Sequence, residues 1–185
     1  MRVFIGIEFP ESIKEYLSYI QEIVINQSEK GNFIRKENFH LTLKFIGEEE
    51  PNEIEKIKES MDKVARYQNK FELYFNNMGY FPRRNMKIIW VGLKANEGLN
   101  QLYTNLEQTL EDKGFSKEER SFTPHITLGR QIILKEEFNK LTEKIIIENI
   151  PIPVNKISLM ESSRVNGELT YTSIYESKLS KEIPI

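Results

Sequence analysis

The chain holds two histidines, His40 and His125, and each heads a near-identical tetrapeptide: "HLTL" at His40–Leu43 and "HITL" at His125–Leu128. In an extended strand, residues i and i+2 point to one face and their neighbours to the other. His40 and Thr42 therefore share a face, with Leu41 and Leu43 behind them. His125 and Thr127 repeat the arrangement over Ile126 and Leu128. The polar pair is displayed while the aliphatic pair anchors the strand. If two such strands face one another across a cleft, two imidazoles and two hydroxyls converge on one small space.

That set suits in-line cleavage of a phosphodiester without a metal ion. One neutral imidazole takes a proton from an attacking water, while the other, protonated, gives one to the leaving alkoxide. An ordinary histidine pKa of about 6.5 lets either ring take either role near neutrality. Each proton transfer contributes about 10²–10⁴ in rate. The hydroxyls of Thr42 and Thr127 donate to non-bridging phosphate oxygens as charge builds there. A lone histidine on a strand is most often structural or simply on the surface. Two in matching tetrapeptides, with no other in the chain, favour a functional pair. A closed zinc site usually takes four ligands, rich in Cys and His, and the chain has no Cys. We expect no metal and no cofactor.

The elements that must position these residues follow from hydrophobic periodicity. Apolar and β-branched runs predict strands at Val3–Phe9, Phe39–Ile46, Phe71–Phe75, Lys87–Leu93, His125–Arg130, Val154–Glu161 and Leu169–Leu179. Helical spacing predicts Glu11–Ile25, with Ile13, Leu17, Ile20 and Val24 on one face. It also predicts Glu53–Tyr67, announced by Pro51, and Leu99–Lys113, stopped by Gly114. Glu136–Ile147 is a shorter fourth candidate. Strands not separated by long crossovers argue for α+β rather than a doubly wound parallel sheet. With no Gly/Ser linker between the halves, we expect two lobes pressed into one domain spanning residues 1–185.

Composition narrows the partners. At 185 residues with a net charge of −2, the chain has no bulk basic field for long nucleic acid, whose binding rests on many Lys and Arg contacts to phosphate. A short nucleic-acid end held by a few local charges remains within reach. The absence of Cys removes disulfides and thiolate nucleophiles and fits a reducing cytoplasm. The opening "MRVFIGIEFPES" is too short and too interrupted for a signal peptide. No run approaches the roughly 20 apolar residues of a membrane span. We expect a cytoplasmic protein with no membrane attachment, no obligate protein partner and a monomeric state.

At its histidine motifs the chain resembles the RNA 2′,3′-cyclic phosphodiesterases, also called 2′–5′ RNA ligases, of the two-histidine phosphoesterase superfamily. The stretches "RVFIGIEFP", "ENFHLTLKFIGE", "MGYFP", "IIWVGL", Gly114–Phe115 and "RSFTPHITLGR" follow the family's order over nearly the whole chain. The resemblance implies a bilobal α+β fold: two pseudo-symmetric lobes, each with an antiparallel sheet and helices, and an active-site cleft between them. It implies hydrolysis of a 2′,3′-cyclic phosphate on an RNA or nucleotide end to a 2′-phosphate. His40 would be the proton donor to the leaving 3′ oxygen and His125 the proton acceptor. Their roles exchange in the reverse, ligating direction. Two other readings stand beside this one. In one, the same site serves a different cyclic or 2′–5′-linked phosphodiester; in the other, the chain is a nucleotide- or RNA-end-binding module without turnover.

The resemblance also makes Arg130 a phosphate contact through its planar guanidinium. Strict alternation puts Arg130 on the face opposite His125 and Thr127, unless a bulge at Gly129 turns it inward. Lys44 has the parity of His40 and Thr42, so it is a second substrate-binding candidate. Where single-stranded RNA binds, a terminal base stacks on an aromatic ring. Phe9, Phe45, Tyr80 and Phe81 are the candidates, with Arg83–Arg84 as a local basic rim.

Overall fold

The computed structural model describes residues 1–180. In chain order these form β1 (Arg2–Glu8), α1 (Glu11–Asn26), β2 (Ser28–Phe33), a 3₁₀ turn (Lys36–Asn38), β3 (His40–Glu48), α2 (Pro51–Arg66), β4 (Phe71–Leu73) and β5 (Phe75–Arg83). There follow β6 (Met86–Leu93), α3 (Glu97–Asp112), β7 (His125–Leu134), α4 (Phe138–Thr142), β8 (Ile152–Val154), β9 (Lys156–Val165) and β10 (Glu168–Lys178). The molecule is α+β, with two four-stranded antiparallel sheets in two lobes. One runs in the order β10-β9-β1-β3 and the other β2-β7-β6-β5; β4 and β8 form a small third sheet.

The three long helices match their periodic faces. Ile13, Leu17, Ile20 and Val24 of α1 are buried, as are Ile54, Ile57, Met61 and Val64 of α2 and Leu99, Leu102, Leu106 and Leu110 of α3. Pro51 occupies the first turn of α2, where its missing N–H has no intrahelical partner to lose. Asn96 caps α3, its side chain accepting from the Leu99 amide at 3.0 Å. These faces and the backs of the sheets make one buried cluster, which includes Ile5, Leu41, Leu43, Ile126 and Leu128.

Several expectations need correction. The helix expected over Glu136–Ile147 is confined to Phe138–Thr142. The strand Phe71–Phe75 is two: β4 ends at Leu73 and β5 begins at Phe75, continuing to a hairpin turn where Arg84 has φ +57°. Likewise Val154–Glu161 divides into β8 and β9. The strand β2, "SEKGNF", carries no apolar alternation and went unanticipated. Its pairing partner supplies its order: Asn32 lies opposite Arg130 and Phe33 opposite Gly129 of β7.

Each sheet is completed from the other half of the chain. β2 leaves the N-terminal half to pair with β7, while β9 and β10 cross back so that β9 pairs with β1. Among the described residues, no helix is long and apolar enough to cross a membrane.

Candidate active site

The two histidine strands present their polar faces to one cavity of about 330 Å³. His40 and Thr42 enter from β3 and His125 and Thr127 from β7, and Arg2, Phe4, Asn38, Phe45, Arg130 and Tyr171 are among the other lining residues. Among the described residues, the lining includes two arginines and no Asp or Glu. A cavity of one sign with low-dielectric walls concentrates anions.

Both rings are held alike. His40 Nδ1 lies 2.7 Å from the Asn38 carbonyl oxygen, and His125 Nδ1 lies 2.6 Å from that of Thr123. A carbonyl only accepts, so Nδ1 carries the hydrogen in each ring and Nε2 is left with a lone pair in the neutral form. His40 Nε2 meets the Thr42 hydroxyl at 2.7 Å. Aromatic rings fix the planes. Phe4 and Tyr171 pack on His40 with centroids at 4.7 and 5.1 Å. Phe81 and Trp90 pack on His125 at 5.1 and 5.8 Å. Trp90 lies across Gly79 of the neighbouring strand, where any Cβ would collide with the indole.

This packing has an electrostatic consequence. Burial pushes the His40 pKa below its usual value, and the positive ends of His125, Arg130 and Lys14 add to it against the Asn38 carbonyl. Burial likewise lowers His125; the Thr123 carbonyl opposes this and Arg130 reinforces it. Tyr171 is shifted up by burial, with Arg130 and Arg2 opposing.

Arg130 lines the cavity because β7 bulges. Thr127 pairs with Trp90 of β6, yet Gly129 pairs with the very next residue, Ile89, so Leu128 is an extra residue in β7. Gly129 thereby takes the buried side and Arg130 returns to the face of His125 and Thr127. Only glycine fits there. A Cβ at 129 would lie 2.9 Å from both Ile132 Cδ1 and Phe33 Cδ1, and 3.2 Å from the Asn32 carbonyl.

A bulge does the opposite to Lys44, and its expected place on the cavity face needs correction. Gly6 pairs with Thr42 but Ile5 pairs with Lys44, so Leu43 is the extra residue and parity inverts. Lys44 is buried outside the cavity, beside the grooves that flank it. Its Nζ is 2.9 Å from Glu107 Oε1 on α3 and donates to the Ser116 carbonyl at 2.6 Å. Phe45 takes the cavity face in its stead, opposite Phe4.

The remaining candidates scatter. Phe9 belongs to the core. Tyr80 packs on Phe138 at 4.7 Å, away from the cavity. Phe81 and Arg83 line an adjoining groove that shares Thr42, Phe45 and His125 with the cavity. Arg2, Phe4 and Tyr171 were missed. For the first two the signal was present: "RVFIGIE" alternates, putting Arg2, Phe4 and Gly6 on one face and Val3, Ile5 and Ile7 on the other.

The profile of the 2′-5′ RNA ligase superfamily matches residues 9–166, and the chain belongs to this superfamily. Among its relatives is an RNA 2′,3′-cyclic phosphodiesterase of Thermotoga maritima, 32% identical over 177 residues, covering 95% of this chain and 94% of that protein. Another of the same name, from Methanocaldococcus jannaschii, is 35% identical over 131 residues, 70% of this chain and 71% of the other. Of solved structures, Escherichia coli LigT complexed with 3′-AMP superposes with a TM-score of 0.81 at 25% identity, covering 96% of this chain and 97% of that one.

Proposed function

We propose that the chain is an RNA 2′,3′-cyclic phosphodiesterase that opens the cyclic phosphate to a 2′-phosphate by acid–base catalysis from His40 and His125. The observation that carries the reading is the cavity: two Nε2 atoms of fixed tautomer, two threonine hydroxyls and Arg130 around a space that no carboxylate lines among the described residues. The curated relatives named for this activity support it.

In the proposed reaction, water attacks phosphorus while the neutral imidazole of His125 takes its proton at Nε2. The bond from phosphorus to the 3′ oxygen breaks, and protonated His40 gives that oxygen a proton. His125 suits the water side because it borders the adjoining groove as well as the cavity, whereas His40 borders the cavity alone of these two. Thr42, Thr127 and Arg130 donate to the non-bridging oxygens, where charge accumulates in the transition state. No step calls for a metal. Arrival of the phosphate anion favours protonation of His40, offsetting the burial and the positive neighbours that keep it neutral in the free cavity. The exchange of strands between the sheets supports treating residues 1–185 as one two-lobed domain.

The test is incubation of a 2′,3′-cyclic nucleotide and a cyclic-phosphate-ended oligonucleotide with the protein in EDTA. A 2′-phosphate product is expected, with H40N and H125N each lowering kcat/KM by about 10²–10⁴ while thermal unfolding stays cooperative. Tight binding without product would identify an RNA-end-binding module instead.

A further inference from the structure

We propose that Arg2 and Phe45 form a second nucleotide subsite at the cavity rim. It takes the nucleotide on the 5′ side of the cyclic phosphate and so selects RNA ends over free cyclic mononucleotides. The inference rests on the phosphodiesterase reading above and names its substrate class.

Phe45 is 53% exposed, whereas Phe4, Phe9, Phe39 and Phe75 are buried. The bulge at Leu43 brings it to the cavity face, where the ring stands at the junction of the cavity and two flanking grooves. An exposed ring gains nothing from water, and base faces stack on such rings whatever their sequence. The Arg2 guanidinium lies over this ring, 4.9 Å from its centroid. Arg2 has a carboxylate across the sheet, since Glu48 is its register partner, but Glu48 instead lies 3.2 Å from the Met1 amino group. Among the described residues Arg2 makes no ion pair, so it is a cation without a carboxylate partner, seated over one face of a ring that is still half exposed.

Spacing and size agree. The cavity volume sits at the lower end of the roughly 300–1,000 Å³ of small-molecule sites, so a terminal nucleotide fills it and the preceding one must rest on the rim. Phe45 is three residues beyond Thr42, at most about 10 Å along the strand, which is the reach of one further nucleotide. Arg130 on β7 and Arg2 on β1 then meet successive phosphates, with Phe45 under the base between them.

The experiment compares kcat/KM for a 2′,3′-cyclic mononucleotide and for a dinucleotide ending in the same cyclic nucleotide. The wild-type protein is expected to prefer the dinucleotide by about tenfold or more, and F45A and R2Q each to lose most of that preference. Raising salt should erode the preference in wild type more than in R2Q. A folding defect lowers both substrates alike and leaves their ratio intact, and thermal unfolding identifies it. Equal kcat/KM for the two substrates in wild type, or an unchanged ratio in both folded variants, overturns the proposal. Cleavage of neither substrate would refute the phosphodiesterase reading. The Kd ratio of the corresponding 2′-phosphorylated dinucleotide and mononucleotide then reads the subsite without turnover, and equal Kd values overturn it.

Discussion

Replacing Lys44 by Met separates a structural role from the substrate-binding role that its sequence position suggests. The two side chains of the Lys44–Glu107 pair are 8% and 5% exposed, with Nζ and Oε1 2.9 Å apart. The contact is close but not aligned as a hydrogen bond, since Glu107 Oε1 has no such partner; the other oxygen accepts from the Glu118 amide at 3.0 Å. K44M removes the cation and strands a buried carboxylate, which costs about 3–5 kcal/mol when one member of a buried pair is deleted. For a protein of this length each kcal/mol moves Tm by about 2–4 °C, so a fall of about 6–20 °C is expected. Because Lys44 is absent from the cavity lining and its Nζ is taken up by Glu107 and the Ser116 carbonyl, KM for a cyclic-phosphate substrate, measured well below the new Tm, should change less than twofold. The double variant K44M/E107Q, which removes the stranded charge and keeps an acceptor for the Glu118 amide, should regain at least half of the lost stability. An unchanged Tm with KM raised tenfold or more would refute the reasoning and return Lys44 to the substrate.

Other outcomes follow from the same geometry. Both histidine pKa values are lowered, foremost by burial, so the bell of kcat/KM against pH should centre below about 6.5. R130Q removes a positive neighbour of both rings and should move both limbs to higher pH; a profile centred above 7 in wild type, or unmoved in R130Q, contradicts the electrostatics. A lowered histidine binds protons less readily folded than unfolded. Stability contributed by the neutral rings should therefore be complete above about pH 6.5 and decline as pH falls through the folded values, with H40N flattening the slope of denaturant-derived stability against pH. Gly129→Val forces a side chain against Phe33, Ile132 and the Asn32 carbonyl. It should lose about 1–3 kcal/mol by overpacking and bring kcat/KM down toward that of R130Q, whereas native stability would show that the bulge is not sterically set.

Much of this protein is local information and could be read from the chain. The helix faces of α1, α2 and α3 repeat at 3.6 residues, and that repeat holds whatever packs against it. The shared face of His40 with Thr42, and of His125 with Thr127, needs only an extended backbone. Even part of the site's charge and an aromatic wall were present in alternation, through Arg2 and Phe4 in β1. Sequence failed where a residue's side depends on its neighbour across the sheet. Lys44 stands one residue and Arg130 two residues beyond a bulge, and strict alternation placed both on the wrong face; only the allowance for a bulge at Gly129 kept Arg130 among the cavity residues. A bulge is a mismatch in count between two paired strands, so no single strand records it. The strand β2 is the same case: "SEKGNF" has no pattern of its own and is ordered by pairing to β7. Periodicity along the chain decided which residues could do chemistry, and pairing between distant segments decided which of them meet in one cavity.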